Sequence, residues 1–240
     1  MAKTSEFNVK NIEDFISKVT TDVTEGDTQK HFLFLYRGQR DITWELLPKI
    51  ARQNIDANFL DEEKEILNEF KRIGRPYIDS AIISNTWDLI ALAQHHGLPT
   101  RLLDWSTNPL VALWFAFFEK DETVSERAVW VLILEKNELA NIETEEPFAL
   151  SKTKAFKPNH ITRRLTAQSG WFTAHKFMDI DQKFIRLNTN KIYKKKIVKF
   201  ILPNSERDHV LNGLDILGIN YFSLFPDLDG LTKYLDWKRL

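Results

Sequence analysis

A chain of 240 residues that is 43% hydrophobic and 12% aromatic can bury a full core, and 33 basic against 34 acidic side chains leave a formal net charge of -1. That near balance removes any whole-chain electrostatic case for nucleic-acid or membrane-surface binding, although a local basic patch stays open. The lack of cysteine excludes disulfides, thiolate metal sites and a cysteine nucleophile, and no signal-like or membrane-length apolar run is found, so a single cytoplasmic domain is expected.

Residues 8–20 place Ile12, Phe15, Ile16 and Val19 at helical spacing, with Asn8 or Asn11 to cap an opening amphipathic helix. After a polar loop over 21–30, His31 to Tyr36 is an aromatic, apolar run that stops at Arg37-Gly38, as a buried strand does where it reaches a polar rim. Residues 44–50 suggest a loop packed on the core. Residues 59–73 form a charged helix with Leu60, Ile66, Leu67 and Phe70 on one side, and 86–96 a second helix stopped by Gly97 and Pro99.

Residues 100–105 are extended, and Asn108 caps a very apolar helix that opens on Pro109. Ala128 to Leu134 is the clearest buried strand. Residues 143–160 look irregular and suit a loop over a site; 170–175 and 197–202 are further strands, 205–217 a helix, and 221–240 ends on a short helix. The expected fold is α+β: a single domain spanning 1–240, its core at 31–235, with a small mixed or antiparallel sheet flanked by helices.

Arg37, following an apolar run and preceding glycine, is placed to grip a phosphate or carboxylate, and Gly38 to admit a ligand close to the backbone. An internal pair with Asp104 is the competing reading. His95 and His96 diverge by about 100° on one helix, so they cannot chelate a metal together; helix-end hydrogen bonding is their default, with acid–base work by one of them open. Arg101 and Asp104 suggest an internal ion pair. Ser106 and Thr107 are either hydroxyls at the rim or part of the cap before Asn108. Lys191, Lys194, Lys195, Lys196 and Lys199 are read as the solvated face of a strand. No metal set, glycine-rich phosphate loop or serine-hydrolase elbow is found.

Tyr36-Arg37-Gly38-Gln39, Trp44 with Leu47-Pro48 and Arg52, and the long run from Ala93 to Trp105 resemble the FRG-domain family, as do Asn108-Pro109 with Ala112-Leu113 and Phe115-Ala116. The segments 168–173 and 225–231 resemble its later parts. This resemblance implies a bacterial or phage toxin or defence effector. A weaker resemblance is to ADP-ribosyltransferases: a strand ending in Arg37, then Ser106-Thr107 running into a helix with Phe115-Ala116, then Gln168 where that family has a glutamate. It implies an ADP-ribosyltransferase-like fold and either transferase or NAD glycohydrolase chemistry on NAD as substrate, with no tightly bound cofactor. Arg37, His95, Asp104 and Gln168 would be catalytic, and Tyr36, Arg37, Gly38, Gln94, Trp105, Ser106 and Thr107 would hold the nucleotide. With glutamine at 168 the carboxylate must come from Asp104, Glu143 or Glu145, or else the nucleotide is bound without cleavage. The alternatives are a noncatalytic nucleotide-sensing or protein-interaction module and an RNA-directed nuclease-like toxin; for the last, RNA binding draws on cations that this chain does not have in excess.

Overall fold

The structure is a computed structural model that describes residues 5–23, 32–52, 59–159, 162–178 and 180–239. His31 and His160, which fall within the segments expected above, lie outside the described residues. Short capping signals start most helices. Asn11 accepts from the Asp14 amide at the start of α1 (Ile12–Lys18), and Val19–Val23 continue it as a wider π-type turn. The charged helix α2 (Phe59–Gly74) and the single turn α3 (Ser80–Ile83) precede α4 (Thr86–His95), where Asn85 accepts from the Trp87 and Asp88 amides. Gly97 ends α4 at φ +89, a conformation open to glycine without a Cβ penalty, while the Leu98 amide donates back to Ala93. Asn108 caps α5 (Pro109–Phe117), buried nearly throughout. The remaining helices are α6 (Arg163–Ala167), α7 (Arg207–Ile216), α8 (Tyr221–Leu224) and α9 (Leu228–Lys238). None is long and apolar enough to cross a membrane among the described residues.

The strands are β1 (Ser5–Asn8), β2 (Phe32–Gln39), β3 (Leu102–Ser106), β4 (Glu126–Glu135), β5 (Lys154–Phe156), β6 (Gly170–Ala174), the short β7 (Phe177–Met178) and β8 (Lys183–Phe184), and β9 (Ile197–Pro203). Seven of them form one mixed sheet in the order β1-β9-β4-β2-β3-β6-β5. The fold is α+β as expected, but the sheet is larger than expected because β1 joins its edge, parallel to β9. The opening helix therefore starts at Ile12 rather than at residue 8, and residues 5–8 belong to the sheet rather than lying outside the core. Their run Ser-Glu-Phe-Asn has one apolar residue, so only pairing with β9 marks it as a strand.

The two halves of the sheet meet at one point. β2 pairs with β4 over eight residues, yet with β3 only at Tyr36 and Ser106. On one side of this split, α1, α5 and α7 pack on β1-β9-β4-β2 around Phe15, Leu113 and Phe200. On the other, α4 packs on β3-β6-β5 around Trp87, Phe156 and Phe172.

Close approach of α5 to β2 rests on Gly38. A Cβ there would lie 1.9 Å from the Ala112 carbonyl oxygen and 2.5 Å from the Ala116 nitrogen, both of them backbone atoms that cannot swing away. The missing side chain thus makes room for a helix, and the Gly38 backbone also lines the cavity described below. Gly38→Ala is expected to destabilise the fold by the upper end of about 1–3 kcal/mol, read as a lowered urea midpoint.

Two lysine and ion-pair expectations are also corrected. β9 begins at Ile197, so Lys191, Lys194, Lys195 and Lys196 lie in the preceding turns; Lys196 pairs with Glu138, and Lys199 is buried over Trp130 with Nζ on the Ile42 carbonyl. Arg101 and Asp104 do not pair. Arg101 immediately precedes β3 and turns inward to Glu63 of α2 instead.

Candidate functional site

A cavity of about 550 Å³ opens at the split, lined from β2, β3, the ends of α4 and α5, and α6. Its geometry begins with Arg37. β2 runs past it to Gln39, so the residue sits inside the strand rather than just beyond its end. Where the backbone ladder to β3 is missing, the Arg37 guanidinium takes its place: Nη1 donates to the Asp104 carbonyl oxygen at 2.7 Å and lies 3.6 Å from the Asp104 carboxylate. Its Nε is buried without a hydrogen-bond partner among the described residues. Burial holds the Arg37 pKa below its ordinary value; Asp104 offsets this and the charge of Arg52 adds to it.

Asp104 is held in place by a directed chain. A carboxylate can only accept, so Gln94 turns Nε2 toward Asp104 Oδ2 at 3.1 Å and Oε1 toward Thr100, whose hydroxyl donates to it at 2.7 Å while accepting from the Leu102 amide. The result is a carboxylate oriented by Gln94 and Arg37 whose side chain is still 56% exposed to the cavity. His95 stands in the same wall. Burial, together with the charges of Arg164 and His96, pushes its pKa down to about 4, so it is neutral near pH 7, with one ring N–H to donate a hydrogen bond and the other ring nitrogen to accept one. His96 is exposed, its ring edge-on to that of His95.

The remaining expected residues divide. Tyr36 and Trp105 contribute to the lining, but Tyr36 is a core ring whose pKa burial pushes up to about 12, and the Trp105 indole donates to Thr173. Ser106 Oγ donates to the Gln168 carbonyl and accepts from the Asn108 amide; it fastens β3 to the next turn and is not free for a ligand. The Gln168 side chain lines the cavity while its Nε2 donates to the Leu224 carbonyl of α8 at 3.2 Å. Thr107 faces a separate small hollow beside Ser169 and Trp171, since chain direction changes there to enter α5. Glu143 and Glu145 do not line the cavity; Glu145 is paired with Lys154, and residues 143–159 form no loop over the site.

Sequence reading missed much of the rest of the lining. Arg40 ion-pairs with Glu119 and Asp121 and lies over the Trp44 ring at 5.0 Å. Arg52 rises from the turn at 49–52, and Arg164 of α6 lies over Phe225 at 3.9 Å, its pKa lowered by burial. Phe115 and Phe118 add apolar surface. The cavity thus gathers four arginines against the carboxylates of Asp104 and Glu119, and with Arg40 committed to Glu119 the surplus is positive. Arg164 had no local signal: it belongs to a five-residue helix far along the chain from Arg37. Among the described residues no three His, Cys, Asp or Glu side chains group closely enough to hold a metal.

His175, behind this wall, is fully buried with Nε2 3.2 Å from the Thr173 hydroxyl, and burial first, then Arg37 and Arg101, push its pKa down to about 3. His95 and His175 both bind a proton more weakly folded than unfolded, so the unfolded chain takes up protons first as pH falls. Stability is expected to decline from the ordinary histidine value of 6.5 down toward 4, whereas carboxylates with lowered values such as Glu13 begin to matter only below 4.5. A urea midpoint that is flat between pH 7 and 5 would contradict this, and His175→Gln should flatten the decline.

Fold and cavity together define an α+β protein whose mixed sheet splits over an arginine-rich, aromatic-walled cleft. Residues 33–125 match the family model described as FRG domain, and the chain carries that domain. The match runs from β2 to the turn before β4, and the same sheet is completed by strands that follow it. Comparisons with curated proteins and with solved structures give no match.

Proposed function

We propose that the cavity binds an anionic nucleotide of the NAD class. The observation that carries this is the surplus of guanidinium groups, Arg37, Arg52 and Arg164, around a space bounded by Trp44, Phe115 and Phe118. Arginine forks match phosphate oxygens, aromatic walls match a base, and about 550 Å³ lies within the roughly 300–1,000 Å³ usual for small-molecule sites. On this reading Arg37 and Arg164, which both feel the charge of Asp104, hold the phosphates together. If nicotinamide is released, the ribose–nitrogen bond breaks with its electron pair leaving on nicotinamide, Asp104 is the carboxylate placed to stabilise the positive ribose centre, and water or an acceptor nucleophile then bonds to that carbon and gives up its proton to solvent. An effector role in toxin or phage-defence settings belongs to the same proposal and rests on family resemblance.

A second reading is favoured by one observation: the residue at 168 is a neutral glutamine whose amide is tied to α8, so the nucleotide is sensed and not cleaved. Calorimetry with NAD, ADP-ribose and AMP, followed by chromatography for free nicotinamide, separates the two. Saturable binding of the dinucleotide, weakened by Arg164→Ala, supports the site. Nicotinamide release that Asp104→Asn abolishes while binding persists supports turnover, and the same binding without release supports sensing. No binding of any of the three ends the nucleotide reading.

A further inference from the structure

A second cavity, of about 290 Å³, lies between α5, α7, α8 and α9, with Phe118 in the lining of both cavities. Its apolar surface is aromatic. Phe118 stacks on Trp114 with ring centroids 4.7 Å apart, and Tyr221 meets Trp114 edge-on at 4.8 Å. Four charged side chains, Arg207, Asp215, Lys233 and Asp236, complete the lining. Arg207 is anchored by Nη2 on the Phe118 carbonyl at 2.9 Å and by Nη1 on the largely exposed Asp208 carboxylate at 3.1 Å, while its Nε is buried with no hydrogen-bond partner among the described residues. Lys233 and Asp236 stand one turn apart on α9, both exposed, and neither side chain has an ion-pair or hydrogen-bond partner among the described residues. The remaining acid, Asp215, is satisfied by Lys238 at 2.6 Å and Asn220 at 2.9 Å.

A ligand suited to this lining carries an aromatic body with one negative and one positive group close together. An adenine nucleotide would bring only negative charge toward Asp236, and a simple carboxylic acid would leave Asp236 unanswered. We infer that this cavity binds a free aromatic amino acid as its zwitterion. The ring rests against Trp114, Phe118 and Tyr221, the carboxylate is held by Arg207 Nε and Lys233, and the ammonium by Asp236. The volume is just below the roughly 300–1,000 Å³ of drug-sized pockets, as a single amino acid requires. This inference is independent of the nucleotide proposal, since it uses a different cavity and a different ligand.

The test is calorimetric titration of the full chain with phenylalanine, tyrosine and tryptophan, and with phenylalaninamide and N-acetylphenylalanine, each of which removes one charge. At least one free amino acid is expected to bind saturably, with each blocked form weaker by about tenfold or more. Lys233→Ala should weaken the free amino acid while leaving the amide unchanged, and Asp236→Ala should weaken it while leaving the N-acetyl form unchanged. Both positions are exposed, and a thermal melt confirms that each variant is folded. Absence of saturation by any of the three at millimolar concentration overturns the inference. So does equal binding of a blocked form, which would mark a site for a peptide terminus, or indifference to both substitutions.

Discussion

Replacing Glu63 with alanine is expected to destabilise the protein by about 3–5 kcal/mol, enough to unfold a domain of ordinary stability. Glu63 and Arg101 have side chains only 4% and 2% exposed, and they meet in a two-point fork, Nε to Oε1 at 2.9 Å and Nη2 to Oε2 at 2.5 Å. Without the carboxylate, Arg101 keeps only a 3.3 Å bond to the Pro147 carbonyl and the faces of Phe148 and Phe184. A guanidinium cannot shed its charge to escape, so the loss is that of an unpaired buried cation. The double variant Glu63→Met with Arg101→Met removes both charges at similar volume and is expected to recover most of the lost stability. A denaturation series in which Glu63→Ala unfolds at the same urea concentration as the parent would refute the account.

Arg37→Ala is expected to cut nucleotide affinity by about 100-fold, or roughly 2.7 kcal/mol, while changing stability by no more than about 1 kcal/mol. The separation follows from Asp104. Were its carboxylate buried, losing Arg37 would strand it at a cost like that of Glu63; but the Asp104 side chain is 56% exposed and keeps Gln94 as donor. What the empty protein loses is one charge-assisted bond to the Asp104 carbonyl, worth about 1.5–3 kcal/mol, and relief from burying the guanidinium offsets much of it. Arg37→Lys should fall between, since an ammonium keeps the charge and loses the fork. A variant whose denaturant midpoint collapses while affinity per folded molecule stays normal would show that Arg37 is a structural staple alone. Failure of the parent protein to bind any nucleotide would instead remove the proposed function and leave the stability half of the prediction standing.

The pairing of Arg101 shows where sequence reading meets its limit. Three residues from Asp104, it suggests a local ion pair, yet it immediately precedes β3 and its side chain turns inward to Glu63 while that of Asp104 faces the cavity. The true partner lies 38 residues earlier on α2. On that helix the apolar spacing nominates Leu60, Ile66, Leu67 and Phe70 as the inward side; the structure buries Phe59, Glu63 and Leu67 and leaves Ile66 49% exposed. A glutamate is taken for a solvated residue until the cation that accompanies it inward is known.

What the sequence determined by itself was local. Asn11 and Asn108 set helix starts, Gly97 a helix stop, and apolar runs marked β2 and β4, because a cap or a stop needs only backbone groups within a few residues. The motif residues Arg37, Gln94, His95 and Asp104 were also legible, and the structure brings all four to one cavity. Tertiary structure alone decided that Ser5–Asn8 is a strand, that β2 and β3 touch at a single pair, that Gly38 makes room for α5, and that Arg164 completes the cationic wall. Each of these depends on a partner dozens to nearly two hundred residues away, and such a contact leaves no periodicity or spacing in the segment that makes it.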